Sequence, residues 1–243
     1  MKQSIFTITS NKSLTPWVYE MKLSGDTSAF GAAGQFVNIA IPGLYLRRPI
    51  SVCDYDENGL TIIYKVVGKG TKILSEMNEG ENLDMLTGLG NGFEIDKLSC
   101  KPLLVGGGVG VPPMYGLCKA LIEKGVRPTV VLGFNSSSEI FYEDEFLSLG
   151  AHLVVCTADG SYGIKGFVTD ALAALEYDFF YACGPIPMLK ALSLATSCSG
   201  LVSLEERMGC GFGACMGCTH EMLSGAKRIC KDGPIFRKEE VLW

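Results

Sequence analysis

The sequence predicts a fold in several parts: an N-terminal antiparallel β-barrel, a doubly wound parallel α/β domain, and a small cysteine-rich C-terminal domain. Three observations carry this expectation. Residues 1–98 hold short segments rich in Val, Ile, Tyr and Thr, separated by Gly, Asp and Asn turns. Residues 99–200 alternate apolar strands with apolar helices and carry two glycine-containing strand-to-helix turns. Residues 201–243 carry four cysteines in the pattern CGFGACMGC…C. These three ranges are the expected domains.

Composition agrees with a packed globular chain. Of 243 residues, 47% are hydrophobic and 19% are charged. The net charge of −5 and the lack of any basic run argue against a nucleic-acid partner. No apolar run approaches the roughly 18 residues of a membrane span. The most apolar stretch, LLVGGGVGVPPMYGL, is broken by glycines and prolines. The start, MKQSIFTITSNKSL, has no apolar core of a signal peptide. Ten cysteines without an export signal imply a reducing compartment, so the chain is expected in the cytoplasm, away from membranes.

In the first part, residues 35–41, 48–53 and 60–67 read as strands of a small barrel, and residues 70–77 as a helix between them. In the second, strands are expected at 101–105, 128–133, 152–157 and 179–183, and helices at 114–123, 143–149, 168–175 and 188–195. Ligands of such sheets bind at the carboxyl ends of the strands. Gly106, Gly107, Gly108 and Gly110 lie where the first of these strands meets its helix. Their backbone N–H groups and the helix N-terminus can hold a pyrophosphate. The spacing is not a strict G-x-G-x-x-G, and a tight connection is the plain alternative. The second turn is YACGPIPM. Cys183 and Gly184 end a strand, Pro185 prepares the next helix, and their small size leaves room for a flat ring. The alternative is that Cys183 is one more small buried residue.

In the third part, Cys210, Cys215 and Cys218 follow C-x4-C-x2-C, and Cys230 comes after eleven more residues. This is the plant-type spacing of a [2Fe–2S] cluster. Thiolates are the soft ligands that such clusters select. Gly209, Gly211, Gly213 and Gly217 let the loop fold closely and free its amides to point at sulfur. Zinc on four thiolates, or bare thiols, are the alternatives, although zinc more often shows two C-x2-C knuckles. The cysteines at 53, 100, 118, 156, 183 and 198 are expected to fill cores. His152 and His220 show no Rieske pattern and are not expected to be ligands.

Arg48-Pro49-Ile50-Ser51, the glycine-rich turn at 106–114 and Cys183-Gly184-Pro185 together resemble the ferredoxin–NADP reductase superfamily. The tail LEERMGCGFGACMGC…RICKDGPIF resembles, more specifically, the electron-transfer subunits of the heteromeric dihydroorotate dehydrogenase B class. The resemblance covers essentially the whole chain. It implies FAD on the barrel, NAD as substrate on the α/β domain, and the cluster on the tail. NADH gives a pair of electrons and a [2Fe–2S] centre takes one, so a flavin is needed between them.

By resemblance, Arg48 contacts the FAD pyrophosphate and Ser51 the isoalloxazine, with Pro49 and Ile50 between them. Relatives often have an aromatic at the place of Ile50, so stacking must come from elsewhere, with Tyr64 as candidate. Ile63, Tyr64 and Lys65 form the next flavin-contacting strand. Gly70 and Thr71 open the helix that holds the flavin phosphates. The plain alternative for Arg48 is a surface ion pair. Gly106, Gly107, Gly108, Gly110, Gly184 and Pro185 hold NAD, with Cys183 near hydride transfer. Asp159 and Gly160 line the nicotinamide side or form an ordinary Asp-Gly turn. Glu205, Glu206 and Arg207 order the cluster loop or form a solvated turn. NAD is favoured over NADP because residues 133–146 offer Glu139, Glu143, Asp144 and Glu145 but no Lys or Arg.

The implied partner is an FMN-containing dihydroorotate dehydrogenase catalytic subunit, in a heterotetramer of two plus two, acting in pyrimidine biosynthesis. The alternatives are a small subunit of a related NAD(P)H–ferredoxin, sulfide or bifurcating oxidoreductase, and a binding module held together by zinc.

Overall fold

The computed structural model describes residues 1–95 and 101–243. Cys100 and the first expected domain boundary lie outside these residues. The chain begins with six strands: β1 (Lys2–Ser13), β2 (Val18–Ser24), β3 (Phe36–Ile39), β4 (Arg48–Tyr55), β5 (Gly59–Lys65) and β6 (Asn82–Leu89). They close an antiparallel barrel in the order β1-β2-β5-β4-β3-β6. The two-residue period of a strand fills its interior. Phe6 and Ile8, Leu83 and Met85, and Val37 and Ile39 turn inward, while Thr7 and Thr9 of β1 face out. After β5, helix α1 (Lys69–Ser75) plugs the barrel with the fully buried Leu74. The Thr71 hydroxyl accepts hydrogen bonds from the amides of Val67 (3.0 Å) and Gly68 (3.3 Å), which caps the helix.

The middle of the chain alternates as expected. The elements are β7 (Pro102–Gly107), α2 (Val111–Glu123), β8 (Thr129–Phe134), α3 (Glu143–Ser148), β9 (His152–Thr157), β10 (Ile164–Lys165), α4 (Val168–Ala171), β11 (Phe179–Cys183), α5 (Ile186–Ala195) and β12 (Gly200–Ser203). Helices α2 and α5 start a few residues earlier than expected. Both open with proline in the first turn, where the missing N–H would be unpaired anyway. Helix α4 is shorter than expected and gives way to a 3-10 turn at Leu172–Ala174.

The sheet order is β10-β9-β8-β7-β11-β12-β15, the last strand, β15 (Ile235–Arg237), coming from the tail. The chain runs outward from β7 to one edge, then crosses back to β11, so the order reverses between β7 and β11. All pairings are parallel except the last, where β15 runs antiparallel to β12. Helices cover both faces. Met114 and Leu117 of α2 and Phe146 of α3 belong to one core, and Leu189 and Leu192 of α5 and Val168 of α4 belong to the other. The first core also takes Val18, Cys53 and Ile63 from the barrel, so barrel and sheet share an apolar seam. At its rim Tyr142 donates to Glu20 (2.7 Å) and Lys119 pairs with Asp54 (2.7 Å).

The tail leaves the sheet after β12 and makes a hairpin of β13 (Thr219–Met222) and β14 (Gly225–Arg228). One turn of helix, α6 (Ile229–Asp232), leads back to the sheet as β15. The second expected boundary, at residue 200, coincides with the first residue of β12. Cys218, Met222, Ile229 and Cys230 of the tail pack into the same core as α4 and α5. Among the described residues, no helix is long and apolar enough to cross a membrane.

Candidate functional site

A crevice of ≈ 680 Å³ runs between barrel and sheet, at the carboxyl ends of β7 and β11. It lies where strand order reverses, the place at which open α/β sheets bind ligands. From the barrel it is lined by Pro49, Ile50 and Ser51 of β4 and Lys65 of β5. From the sheet it is lined by Gly107, Gly108 and Gly110 after β7, and by Cys183, Gly184 and Pro185 after β11. Ten of the sequence-expected residues therefore meet in one space.

Close packing explains the glycine between the two turns. A Cβ at residue 110 would lie 2.1 Å from the Cys183 carbonyl oxygen and 2.6 Å from the Gly184 nitrogen. Only glycine lets these two backbones approach so closely. Helix α2 starts directly after Gly110, so its unpaired N–H groups face the crevice mouth. Cys183 is half-buried; burial pushes its thiol up to about 12, against a hydrogen bond with Ser203 that works the other way. It is a neutral thiol at physiological pH.

Other expected residues lie outside the crevice lining. Tyr64 corrects the expectation that it stacks on the flavin. It is 1% exposed, points into the barrel, and donates to Asn11 Oδ1 (3.0 Å). Ile63 points the opposite way, but into the seam with the sheet. Of these three neighbours only Lys65 reaches the crevice. Gly106 is buried at the end of β7. Gly70 and Thr71 lie in α1, next to Arg48: a Cβ at residue 70 would sit 2.6 Å from Arg48 Nε.

The two arginines differ. Arg47 pairs with Asp84 (3.0 Å) and holds that carboxyl below its usual range. Arg48 donates to the carbonyls of Leu46 (2.6 Å) and Arg47 (3.3 Å) and, among the described residues, has no carboxylate in ion-pair reach. Its charge is free for an anionic ligand, unlike an arginine in an ion pair. Asp159 accepts from the amide and hydroxyl of Ser161 and is an ordinary turn residue; its neighbour Ala158 lines the crevice instead.

The crevice also contains residues that the sequence reading missed. Trp17 and Phe167 line it while largely exposed, at 63% and 70%. Glu205 and Glu206, expected to order the cluster loop or to form a solvated turn, also line it, because the tail crosses its open side. Burial, then the Glu206 charge, raises the Glu205 carboxyl above its usual range. Glu206 Oε1 lies 3.2 Å from His220 Nδ1 on the hairpin, tying the crossing segment to the tail. Asn135 donates to Glu139 (2.9 Å) on the sheet side. Lys65 is the one cation among the lining residues, which include three glutamates.

The four tail thiols face each other as two pairs. Cys218 Sγ and Cys230 Sγ are 3.2 Å apart and both are 2% exposed. Cys210 meets Cys215, which is exposed. Burial pushes the Cys210 thiol up, but amides of Cys215, Phe212 and Ala214 outweigh this and bring it to about 6. Burial and the Cys218 thiol push Cys230 up to about 12. Two thiol pairs with amides aimed at sulfur fit a centre of two irons with two thiolates on each.

The cluster loop is braced from both sides. Arg228 Nη1 donates to the Gly213 carbonyl (2.9 Å). From the barrel, Asn38 Nδ2 donates to the Cys210 carbonyl (3.0 Å). Asn38 is 1% exposed, and its Oδ1 has no hydrogen-bond partner. A buried acceptor left unpaired costs about 1–3 kcal/mol.

Residues 104–193 match the family described as oxidoreductase NAD-binding domain, and residues 205–242 match the iron-sulfur cluster binding domain of dihydroorotate dehydrogenase B. The chain is 45% identical to "Dihydroorotate dehydrogenase B (NAD(+)), electron transfer subunit" of Geobacillus sp. (strain WCH70), covering 100% of this chain and 99% of that one. It is 42% identical to the protein of the same name from Fusobacterium nucleatum, covering 99% of each. Among solved structures, the NADH-dependent reduced ferredoxin-NADP oxidoreductase, solved in work on flavin-based electron bifurcation, is 35% identical with a TM-score of 0.89. That match covers 98% of this chain and 90% of the other. Barrel, doubly wound sheet and the crevice at their seam define a pyridine-nucleotide reductase of the ferredoxin–NADP reductase type, extended by an iron–sulfur tail. The chain belongs to the family of dihydroorotate dehydrogenase B (NAD(+)) electron transfer subunits.

Proposed function

We propose that this chain moves electrons between NAD(H) and a catalytic subunit that contains FMN and oxidises dihydroorotate, in the cytoplasmic synthesis of pyrimidines. Residues 1–98 serve FAD, residues 99–200 serve NAD, and residues 201–243 serve the [2Fe–2S] cluster. The observation that carries the reading is the single crevice shared by the β4 wall and both glycine turns, in a chain of this family. When bound, FAD exchanges a hydride with nicotinamide and single electrons with the cluster.

The protein's own residues bind, orient and exclude water. Arg48 and Lys65 supply positive charge for the flavin pyrophosphate. Pro49, Ile50 and Ser51 form the wall that carries the flavin ring. The Gly107–Gly110 backbone and the α2 N-terminus receive the nucleotide pyrophosphate. Cys183, Gly184 and Pro185 leave room for the nicotinamide, and the neutral Cys183 thiol packs beside it without adding charge. The glutamate-lined wall disfavours a ribose phosphate, so NAD is the substrate. Cys210, Cys215, Cys218 and Cys230 hold the cluster.

Arg48→Ala is expected to weaken FAD retention about 10-fold or more, the value of a charge-assisted hydrogen bond. Flavin per chain after exhaustive dialysis measures this, and an unchanged ratio removes Arg48 from the site.

The whole reading is tested by producing the chain with an FMN-dependent dihydroorotate dehydrogenase partner. The expected product is a two-plus-two complex that reduces NAD+ when given dihydroorotate. A complex that reduces ferredoxin but leaves dihydroorotate untouched supports instead the second reading, a subunit like that of the bifurcating oxidoreductase. The higher identity to the dihydroorotate dehydrogenase relatives, 45% against 35%, favours the first.

A further inference from the structure

We propose that Asn38 is the positioning residue that locks the cluster loop to the flavin-bearing wall of the barrel. The inference rests on the reading that the tail thiolates hold a [2Fe–2S] cluster, and deepens it.

Four observations converge on this side chain. Asn38 lies on β3, and its Cα partner across the ladder is Pro49 of β4. Pro49, Ile50 and Ser51 are the barrel's wall of the crevice. One strand pairing and one hydrogen bond therefore connect that wall to the carbonyl of the first thiol ligand, 172 residues away.

Second, the loop is pressed onto the amide. Gly211 has φ +79, and a Cβ there would lie 2.4 Å from Asn38 Nδ2. A side chain at 211 would push the loop off its tether.

Third, the Asn38 Oδ1 is buried without a partner. A flipped amide would set this oxygen against the Cys210 carbonyl, acceptor on acceptor, so the amide orientation is fixed. An apolar residue of the same size would remove the orphaned oxygen but leave the Cys210 carbonyl without its donor. The hydrogen bond this side chain makes is therefore the one to the cluster loop.

Fourth, the backbone behind it is rigid. The Asn38 carbonyl accepts from Arg47 Nη1 (3.3 Å), and Arg47 is itself paired with Asp84 on β6.

Holding the Cys210 carbonyl fixes the peptide that opens the loop. The amides of Ala214 (3.2 Å) and Cys215 (3.5 Å) donate to Cys210 Sγ within that loop. Amide bonds to ligand sulfur tune the potential and electronic structure of a cluster. Asn38 thus sets both where the cluster sits relative to the flavin wall and how its sulfur is hydrogen-bonded.

The test uses the complete complex with Asn38→Leu, which removes the donor and keeps the volume, and Asn38→Asp, which replaces the donor by an acceptor. The readouts are iron and acid-labile sulfide per chain, the EPR spectrum of the reduced cluster, and stopped-flow reduction by NADH. In the last, cluster bleaching is expressed as a ratio to flavin bleaching. The expected result is a folded, FAD-containing complex whose EPR spectrum is shifted and whose ratio falls roughly 10-fold, as for other outer partners of metal ligands. Loss of iron with FAD retained supports the proposal equally. If Asn38→Leu does not fold, the near-isosteric Asn38→Asp decides by the same readouts. A wild-type spectrum and ratio in a folded variant overturn it and make Asn38 a packing residue. A wild-type complex without iron sinks the cluster reading and this inference together. A normal wild-type cluster with indifferent variants sinks this inference alone.

Discussion

Cys215→Ser is expected to strip the iron–sulfur centre and cut dihydroorotate-linked NAD+ reduction by roughly 100-fold or more, the upper end of the range for partners one step further from a metal. NADH-driven reduction of a dye that accepts from flavin should survive within about two-fold, since the crevice lining does not include this residue. The reason is local. Cys215 is the exposed member of the Cys210 pair, and serine offers a harder oxygen where the cluster needs a soft thiolate. Because Cys215 is exposed and the buried pair Cys218–Cys230 is left intact, the fold itself should hold. Iron and sulfide assays beside both activities check this. Full iron content in the variant would remove Cys215 from the ligand set.

The second large effect is expected from Gly110→Ala. The added methyl would enter the backbone of Cys183 and Gly184 at 2.1–2.6 Å, and backbone cannot swing away as a flexible side chain can. The two turns that face each other across the nucleotide site must part. Overpacking of this kind costs about 1–3 kcal/mol of stability. A displacement near 1 Å at a reacting centre can cost about 100-fold in rate. NADH–dye reduction should therefore fall by about that factor while the protein remains folded below its lowered melting midpoint. Gly108→Ala is the contrast. That residue has φ +52 but open space where its Cβ would go, so only backbone strain of about 1–2 kcal/mol opposes it. Equal NADH kinetics in Gly110→Ala and the parent chain would show that the close approach of the turns is not needed for hydride transfer.

The legible parts of the site were those where chemistry is written in consecutive residues. Cysteine spacing announces a thiolate loop because the ligands themselves fix the intervals. Glycine turns between apolar strand and apolar helix announce a ligand end of a sheet. The misreadings have physical causes as well. Ile63, Tyr64 and Lys65 lie on one strand, which sends alternate side chains to opposite faces, so their side chains part company and only Lys65 lines the crevice. Tyr64 accordingly went to the barrel interior. The prolines at 112, 113 and 187 hid the first turns of α2 and α5, since proline reads as a breaker until its position in the helix is known. Asn38, Trp17 and Phe167 carried no local signal. Each gained its place from a chain segment far away in sequence, and only the folded topology brings those segments together.

The return of β15 to the edge of the sheet has a mechanical consequence. The thiol-bearing lobe leaves from β12 and comes back to pair with that same strand, so it is anchored at both feet. Asn91 adds a third tie from the barrel, exchanging hydrogen bonds with the backbone of Ile235 (2.8 and 3.2 Å). A lobe clamped in this way cannot swing out to meet a distant acceptor like a carrier on a flexible arm. Current must leave through a fixed outlet, and whatever receives it has to come and dock there.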